Sequence, residues 1–439
     1  MERAATASAL GLQFSGNRDV YDAAGYPDEI TFADYYNRYK RQDVARRVID
    51  APVGDSWLFA PSILDGATPS EASSDTEFVA AWNVLADGND ENIADTDGVF
   101  RRGLLHQMAR ADRTSGIGKF SLLIFGFRDG KDLAEPVAKR SLAGPGGLVY
   151  ASVAAETNVV IGELDTDETS NRFGLPVSYD VTFQDDRVRT VHWTRVIHVA
   201  DPIDNELEGD PRLQVIFNRL IDLDKVVPAA GEAAWRLLQP VLLMKTQSGT
   251  RLPTGDGDRQ RIEDQATEMV HGLRRTMLAQ GLDPEILEGS LQDPSAIVDV
   301  LIKLISIATG IPKRILEGSE RGELSSSQDE RTWGRWIASR QRNFVEPVIL
   351  RPVIHRLVYA GVLPVPKTGR YCVTWKPLVE PTENEAADTA TKVAEALEAV
   401  GAVVSPEDFA KLFFPRLGAV VGHTSTDDAP QSNAARWGL

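Results

Sequence analysis

Apolar positions along this chain follow helical and extended spacings in a definite order. Phe32, Tyr35, Tyr36, Tyr39, Val44, Val48 and Ile49 recur at helical spacing, and Pro52 is expected to end that helix. Trp57 and Phe59 follow as anchors, whereas residues 1–30 show no sustained period and read as an N-terminal arm. The spacing predicts a second helix over about 76–85 and a third over about 97–112, with Val99, Phe100, Leu104, Leu105 and Met108 on its apolar face. After Gly116 and Gly118 the run from Phe120 to Phe127 is short and continuous enough to be a buried strand, and Arg128-Asp129-Gly130 is its turn. Strand-like pieces at 148–153, 159–161, 177–183 and 188–199 predict a mixed sheet flanked by the earlier helices.

Helical spacing returns over 211–245, interrupted near Pro228. A polar, glycine-containing break at 249–258 precedes an amphipathic helix over about 259–280. Asp293-Pro294-Ser295 is a helix start, and Ile297, Val298, Leu301, Leu304, Ile305 and Ala308 form an apolar side until Gly310-Ile311-Pro312 stops it. A polar loop follows from Glu317 through Gly318, Ser319, Glu320, Arg321, Gly322, Glu323, Leu324, Ser325, Ser326 and Ser327. A long helix then begins near Gln328 and carries Trp333, Trp336, Ile337, Phe344, Val345 and Val348, with Pro347 and Pro352 predicting a kink. A strand at 371–375, helices at 383–400 and 406–414 and a loose final 15 or so residues complete an α+β chain.

Composition narrows the possibilities. With 439 residues, 42% of them hydrophobic and 25% charged, the chain can form two or three packed units, and wholesale disorder is excluded. No apolar run reaches the roughly 18 to 20 residues of a membrane span, and Met1-Glu2-Arg3-Ala4-Ala5 lacks a signal-peptide layout, so no membrane partner is expected. The single cysteine, Cys372, has no thiol to pair with inside the chain. A net charge of −17 argues against a protein that grips DNA through its phosphates, and argues less against a conduit through which DNA slides.

Candidate chemistry is sparse. Gly116-Ile117-Gly118-Lys119 superficially resembles a phosphate loop, but Arg113 stands at the first glycine position, Phe120 replaces the hydroxyl residue and a strand follows. Gly144-Pro145-Gly146-Gly147 contains a proline and leads into a strand, so it is no dinucleotide fingerprint. Of the six histidines, His192 and His198 are expected on one face of one extended segment, roughly 20 Å apart and too far to share a metal. Asp185-Asp186 reads as a hairpin turn. No catalytic, cofactor-binding or metal-ligating residue is assigned.

The ordered set Thr309-Gly310-Ile311-Pro312, Leu316-Glu317-Gly318-Ser319, Gly322 to Asp329 and the long helix with Arg340-Gln341 resembles tailed-bacteriophage portal proteins. The nearest branch is the one related to the N-terminal domain of an anti-CBASS protein. RRVIDAPVGDSW, Arg46 to Trp57, is similar to that family's first helix and its exit, and Thr194-Arg195-Val196-Ile197-His198 to the strand leaving its wing domain. The similarity runs in order from about 32 to 410.

What the resemblance implies is a head-to-tail connector: a ring, usually of twelve subunits, in the virion at one capsid vertex, assembled in the host cytoplasm. In this chain, 31–205 would be the first part of the wing, 206–245 a stem helix, 246–292 the clip and 293–312 the second stem helix, with Val298, Leu301, Lys303 and Ile305 as stem residues. Residues 313–328 would form the channel loop, 329–380 the long kinked helix and second part of the wing, 381–420 a crown and 421–439 a flexible tail. Implied partners are further copies of the chain, double-stranded DNA passing non-specifically, the terminase large subunit, the head–tail adaptor, and the major capsid and scaffold proteins. The segment 246–292 reads as mostly helical, where family clips contain strands. The alternative is a phage-encoded enzyme or host-defence inhibitor sharing the domain. It would need two H-x-T/S motifs, and His423-Thr424-Ser425 is a fragment of that kind.

Overall fold

The computed structural model describes residues 19–87, 103–201, 204–237, 241–246, 282–287, 293–318, 326–379 and 383–400, with isolated positions at 260, 264, 267 and 268. Two units succeed one another, 1–376 and 377–439. The first contains α1 (Val20–Ala24), α2 (Phe32–Arg41), α3 (Asp43–Ser56), β1 (Ser62–Asp65), α4 (Glu77–Asp87), α5 (Leu104–Ile117), β2 (Ser121–Phe127), β3 (Leu148–Ala155), β4 (Val159–Ile161), β5 (Ser178–Thr182), β6 (Val188–His192) and β7 (Val196–Val199). It continues with α6 (Phe217–Leu237), β8 (Val241–Thr246), β9 (Leu282–Leu287), α7 (Ser295–Thr309), α8 (Lys313–Glu317), α9 (Ser326–Arg340), a π-helical stretch (Gln341–Leu350), α10 (Arg351–Ala360) and β10 (Tyr371–Thr374). The second unit contains α11 (Glu383–Val400).

The first unit is organised around β2, which pairs antiparallel with both β3 and β7. Successive side chains of a strand point to opposite faces. Leu123, Phe125 and Phe127 therefore join a core with Trp82 of α4, Met108 of α5 and Val345 to Leu357 of the long helix. Leu122 and Ile124 join a second core with Tyr179, Val181 and Val191 of the sheet β4-β5-β6. All seven residues of β2 are buried. Cover on both faces explains why SLLIFGF is a continuous apolar run rather than an alternating one. A side chain at Gly126 would collide with the Tyr150 ring, and the ladder shifts register at that point.

The expected mixed sheet is instead two three-stranded antiparallel sheets, β3-β2-β7 and β4-β5-β6. A 3₁₀ turn at Trp193–Arg195 breaks the expected 188–199 strand, and β7 crosses to the other sheet. The crossing is pinned by an ion pair of 2.6 Å between Arg195 and Asp129, whose side chains are 1% and 3% exposed. His192 and His198 consequently lie in different sheets, not on one face of one strand.

Other boundaries move for local reasons. A capping box between Thr31 and Asp34 starts α2, and the chain breaks at Gln42 rather than at Pro52. Pro52 sits inside α3, where the burial of Val48, Ile49, Ala51 and Val53 outweighs its missing backbone hydrogen bond. Residues 20–24 of the expected arm are helical, capped by Asp19, and the Tyr26 hydroxyl donates to Asp222 of α6 at 2.7 Å. Helix α5 begins at Leu104 and runs through Gly116; residues 97–102 of the expected helix lie outside the described residues.

Residues 241–245, expected to be helical, belong to β8 and pair antiparallel with β9. The segment 246–292 therefore contains strand, and its described positions at 260, 264, 267 and 268 are helical. Residues 313–317, expected as loop, form a short helix, and the following helix starts at Ser326. Where the kink is expected, ten π-helical residues, Gln341–Leu350, contain Pro347. The helix expected at 406–414 and the C-terminal tail lie outside the described residues.

Candidate functional site: the mount of the 318–325 loop

On the N-terminal side of the polar segment singled out in the sequence, Gly318, with φ of +67°, takes the left-handed conformation that ends α8. Ser326 and Ser327 belong to the first turn of α9, and Ser319, Glu320, Arg321, Gly322, Glu323, Leu324 and Ser325 lie outside the described residues. The two ends are tied together by an ion pair of 3.7 Å between Arg314 and Asp329.

Both ends also rest on α3. Arg47 Nε donates to the carbonyl of Ile315 at 2.8 Å, which fixes α8. On the other side, Trp333 Nε1 donates to Asp55 at 2.7 Å, with Trp336 stacked on Trp333 at 4.8 Å. Arg340 Nη1 donates to Ser56 Oγ at 2.9 Å, and Gln341 Nε2 to the Ser56 carbonyl at 2.9 Å. The stretch Arg46 to Trp57 thus acts as a rail on which both flanks of the loop are fastened.

At the end of that rail is a buried charge cluster. Asp112 of α5 is fully buried and accepts from both Arg340 terminal nitrogens, from Arg212 Nη2 at 3.1 Å and from Trp57 Nε1 at 2.8 Å. Burial alone would raise the Asp112 pKa, but the charges of Arg340 and Arg212 and the hydrogen bonds from Arg340 and Trp57 hold it below the usual carboxylate range. Arg212 is pushed down to about 10 by burial and by the nearby charge of Arg340. Two guanidiniums on one carboxylate leave a net positive cluster, and Arg212 Nη1 is buried without a partner. The cluster joins α5, the chain entering α6, and the end of α9.

Helix α7 packs against α6 and against α8. Its expected residues divide: Leu301 and Ile305 are buried, Val298 is half-buried, and Lys303 is exposed and paired with Asp299 at 2.6 Å. Lys313 of α8 reaches the same Asp299, so hydrogen bonds from the two lysines pull its pKa down to about 2. The inward face also includes Ile302, while Ile297, Val300, Leu304 and Ile307 face outward, Ile307 with 78% of its surface exposed. The expected apolar side was thus rotated, because a helix reading SAIVDVLIKLISIAT is apolar nearly all round and its period does not single out the inner face.

Asp55, Asp112, Arg212 and Arg340 were not assigned roles from sequence. The available signal for Asp112 was an acid on the stripe Leu104, Met108, Ala111 and Ser115. Among the described residues there is no cluster of His, Cys, Asp and Glu that could hold a metal, and no helix is long and apolar enough to cross a membrane. His198 Nε2 donates to the Leu207 carbonyl at 2.7 Å, and burial lowers its pKa. His423 lies outside the described residues.

These residues fasten the segments on either side of 319–325 to α3 in an α+β protein. The chain belongs to the phage portal protein family, whose model matches residues 34–399. It is also 32% identical over 105 residues to the anti-CBASS protein Acb1 of Caulobacter sp. (strain RHG1), a stretch that is 22% of this chain and 17% of that protein. Among solved structures it is similar to a chain from the neck of an empty GTA particle computed with C6 symmetry, at 15% identity and a TM-score of 0.49, covering 89% of this chain and 96% of that one. It is likewise similar to an HK97 family phage portal protein from Corynebacterium diphtheriae, at 11% identity and a TM-score of 0.41, covering 80% and 98%.

Proposed function

We propose that this portal protein assembles into a closed ring of twelve copies at one capsid vertex of the virion, enclosing a channel for double-stranded DNA during packaging and ejection. The observation that carries the ring is the outward stripe Ile297, Val300, Leu304 and Ile307 on α7, spaced three and four residues apart and left uncovered by its own chain. A contiguous apolar stripe on one helix marks a binding face, whereas scattered exposed apolar residues do not. Repeating the same contact from copy to copy closes it.

In this reading α6 and α7 are the stem, and residues 318–325 project into the channel from their fixed mount. Glycine and serine give the loop cheap changes of shape, and Glu320, Arg321 and Glu323 offer no continuous cationic surface to hold phosphates. The charge of −17 per copy keeps long-range attraction to DNA weak, so DNA slides. The strands β8 and β9 and the segment between them form the clip that meets the terminase large subunit and then the head–tail adaptor. The sheets and the long helix form the wing that contacts capsid and scaffold proteins, and 381–420 form the crown. Assembly takes place in the host cytoplasm.

Electron microscopy of the purified chain tests the ring. Wild type gives rings, and the double variant Ile297→Asp, Ile307→Asp stays dispersed; a uniform wild-type monomer at high concentration overturns the proposal. Deleting Ser319 to Ser326 spares the ring and impairs DNA packaging or retention. Unchanged packaging in the deletion removes the channel role from the loop.

A further inference from the structure

Arginines of the β4-β5-β6 region include two with a carboxylate partner, Arg189 with Asp185 and Arg195 with Asp129. Arg172 and Arg356 have none among the described residues. Arg172, in the loop between β4 and β5, lays its guanidinium carbon 3.7 Å from the centroid of the Trp193 ring, and Arg356 of α10 lies 4.7 Å from the same centroid. Each places one N–H on a backbone carbonyl, Arg172 Nη2 on Pro176 at 2.8 Å and Arg356 Nη1 on Trp193 at 2.5 Å. Among the described residues neither guanidinium has a carboxylate within ion-pair distance, and Arg172 Nε is buried without any acceptor.

Two guanidiniums withdrawn from water beside each other repel, and removing charge from water is unfavourable unless a counter-charge follows it. The indole face offsets part of that. It supplies no hydrogen-bond acceptor, however, and a guanidinium has five N–H donors to satisfy. Burial and the neighbouring charge of Arg172 push the Arg356 pKa down to about 10. His192, next to Trp193, has its pKa lowered by burial and by Arg356, Arg172 and Arg195. Its Nδ1 accepts from the Thr194 backbone N–H at 3.2 Å, which leaves Nε2 as the protonated nitrogen of a neutral ring. Arg172, Trp193 and Arg356 are each half-buried, so the cluster is reachable from solvent.

We infer that Arg172, Arg356 and Trp193 form an oxyanion site that takes one phosphate or carboxylate group, its oxygens accepting the unused guanidinium N–H groups. Forked donors suit either group. The anion comes from free phosphate or from an acidic side chain of a second copy of this chain, in which 64 Asp and Glu outnumber 47 Lys and Arg. The site is independent of the loop mount and of the outward stripe on α7.

The test is tryptophan fluorescence of the full-length chain, with Trp193→Phe to isolate the Trp193 contribution. One arm titrates inorganic phosphate into dilute protein at constant ionic strength, balanced with chloride. The other raises protein concentration in phosphate-free buffer. A saturable Trp193 response to phosphate identifies the free ion, and a response that appears only with rising protein concentration identifies the neighbour's carboxylate. Either response weakens at least tenfold in Arg356→Gln and in Arg172→Lys, the second of which keeps the charge and loses the fork. Absence of a Trp193 response in both arms for folded wild type overturns the site. So does a response that persists undiminished in the combined Arg172→Lys, Arg356→Gln variant.

Discussion

Strand β2 and helix α7 are both predominantly apolar, yet they end in opposite situations. Every residue of β2 is buried, because its two faces meet two cores supplied by the same chain. Helix α7 buries Leu301, Ile302 and Ile305 against its own chain and leaves Ile297, Val300, Leu304 and Ile307 in water. The same continues along α6, where Leu220 and Leu223 are buried while Val227 and Trp235 are exposed, Trp235 by 58%. The sheet region is a finished core. The paired helices are an unfinished one, and the apolar surface they leave open favours association through the hydrophobic effect.

The contrast is open to direct attack. The largest effect is expected from Asp112→Ala, which leaves Arg340 and Arg212 facing each other without their anion and lowers stability by about 3–5 kcal/mol. A chemical-denaturation midpoint like that of wild type would show that the cluster does not join α3, α5 and α9 energetically. Next, Leu123→Ala opens a cavity in the finished core and costs about 2–5 kcal/mol in the same assay. The comparable truncation Ile307→Ala changes the stability of the dispersed chain by less than about 0.5 kcal/mol, although it weakens ring formation in sedimentation. Equal losses at the two positions would abolish the distinction between the regions.

The smallest effect depends on pH. Because the folded-state pKa of Asp112 lies below its unfolded value, its stabilisation is fully present above about pH 4 and is lost as pH falls through the folded value. The gap between the denaturation midpoints of wild type and Asp112→Asn therefore narrows below about pH 4. A gap that stays constant far into acid would place the stabilisation elsewhere.

Much of the local structure was legible because it is set by neighbours in sequence. The run of β2, the start of α7 at Asp293-Pro294-Ser295 and the helix end at Gly310 depend on contacts a few residues apart. Elsewhere tertiary packing outweighs the local signal. Pro52 marks a helix end by itself but is carried through by burial, and residues 241–246 become a strand because Leu282–Leu287 supplies a partner. The β-ladder between Ser62–Asp65 and Tyr371–Thr374 joins segments some three hundred positions apart, beyond any local pattern.

The sequence by itself determined that this is an α+β portal-family chain and that it carries a net charge of −17. Only the tertiary structure decided that Arg46 to Trp57 holds both flanks of the polar loop, that Asp112 is shared by Arg212 and Arg340, and which side of α7 faces outward. Periodicity reports that a face is apolar, whereas its occupant is chosen by residues brought together from distant parts of the chain. Ion pairs behave in the same way: an acid at position 112 looks like any other until burial removes water and leaves the two arginines as its counter-charges.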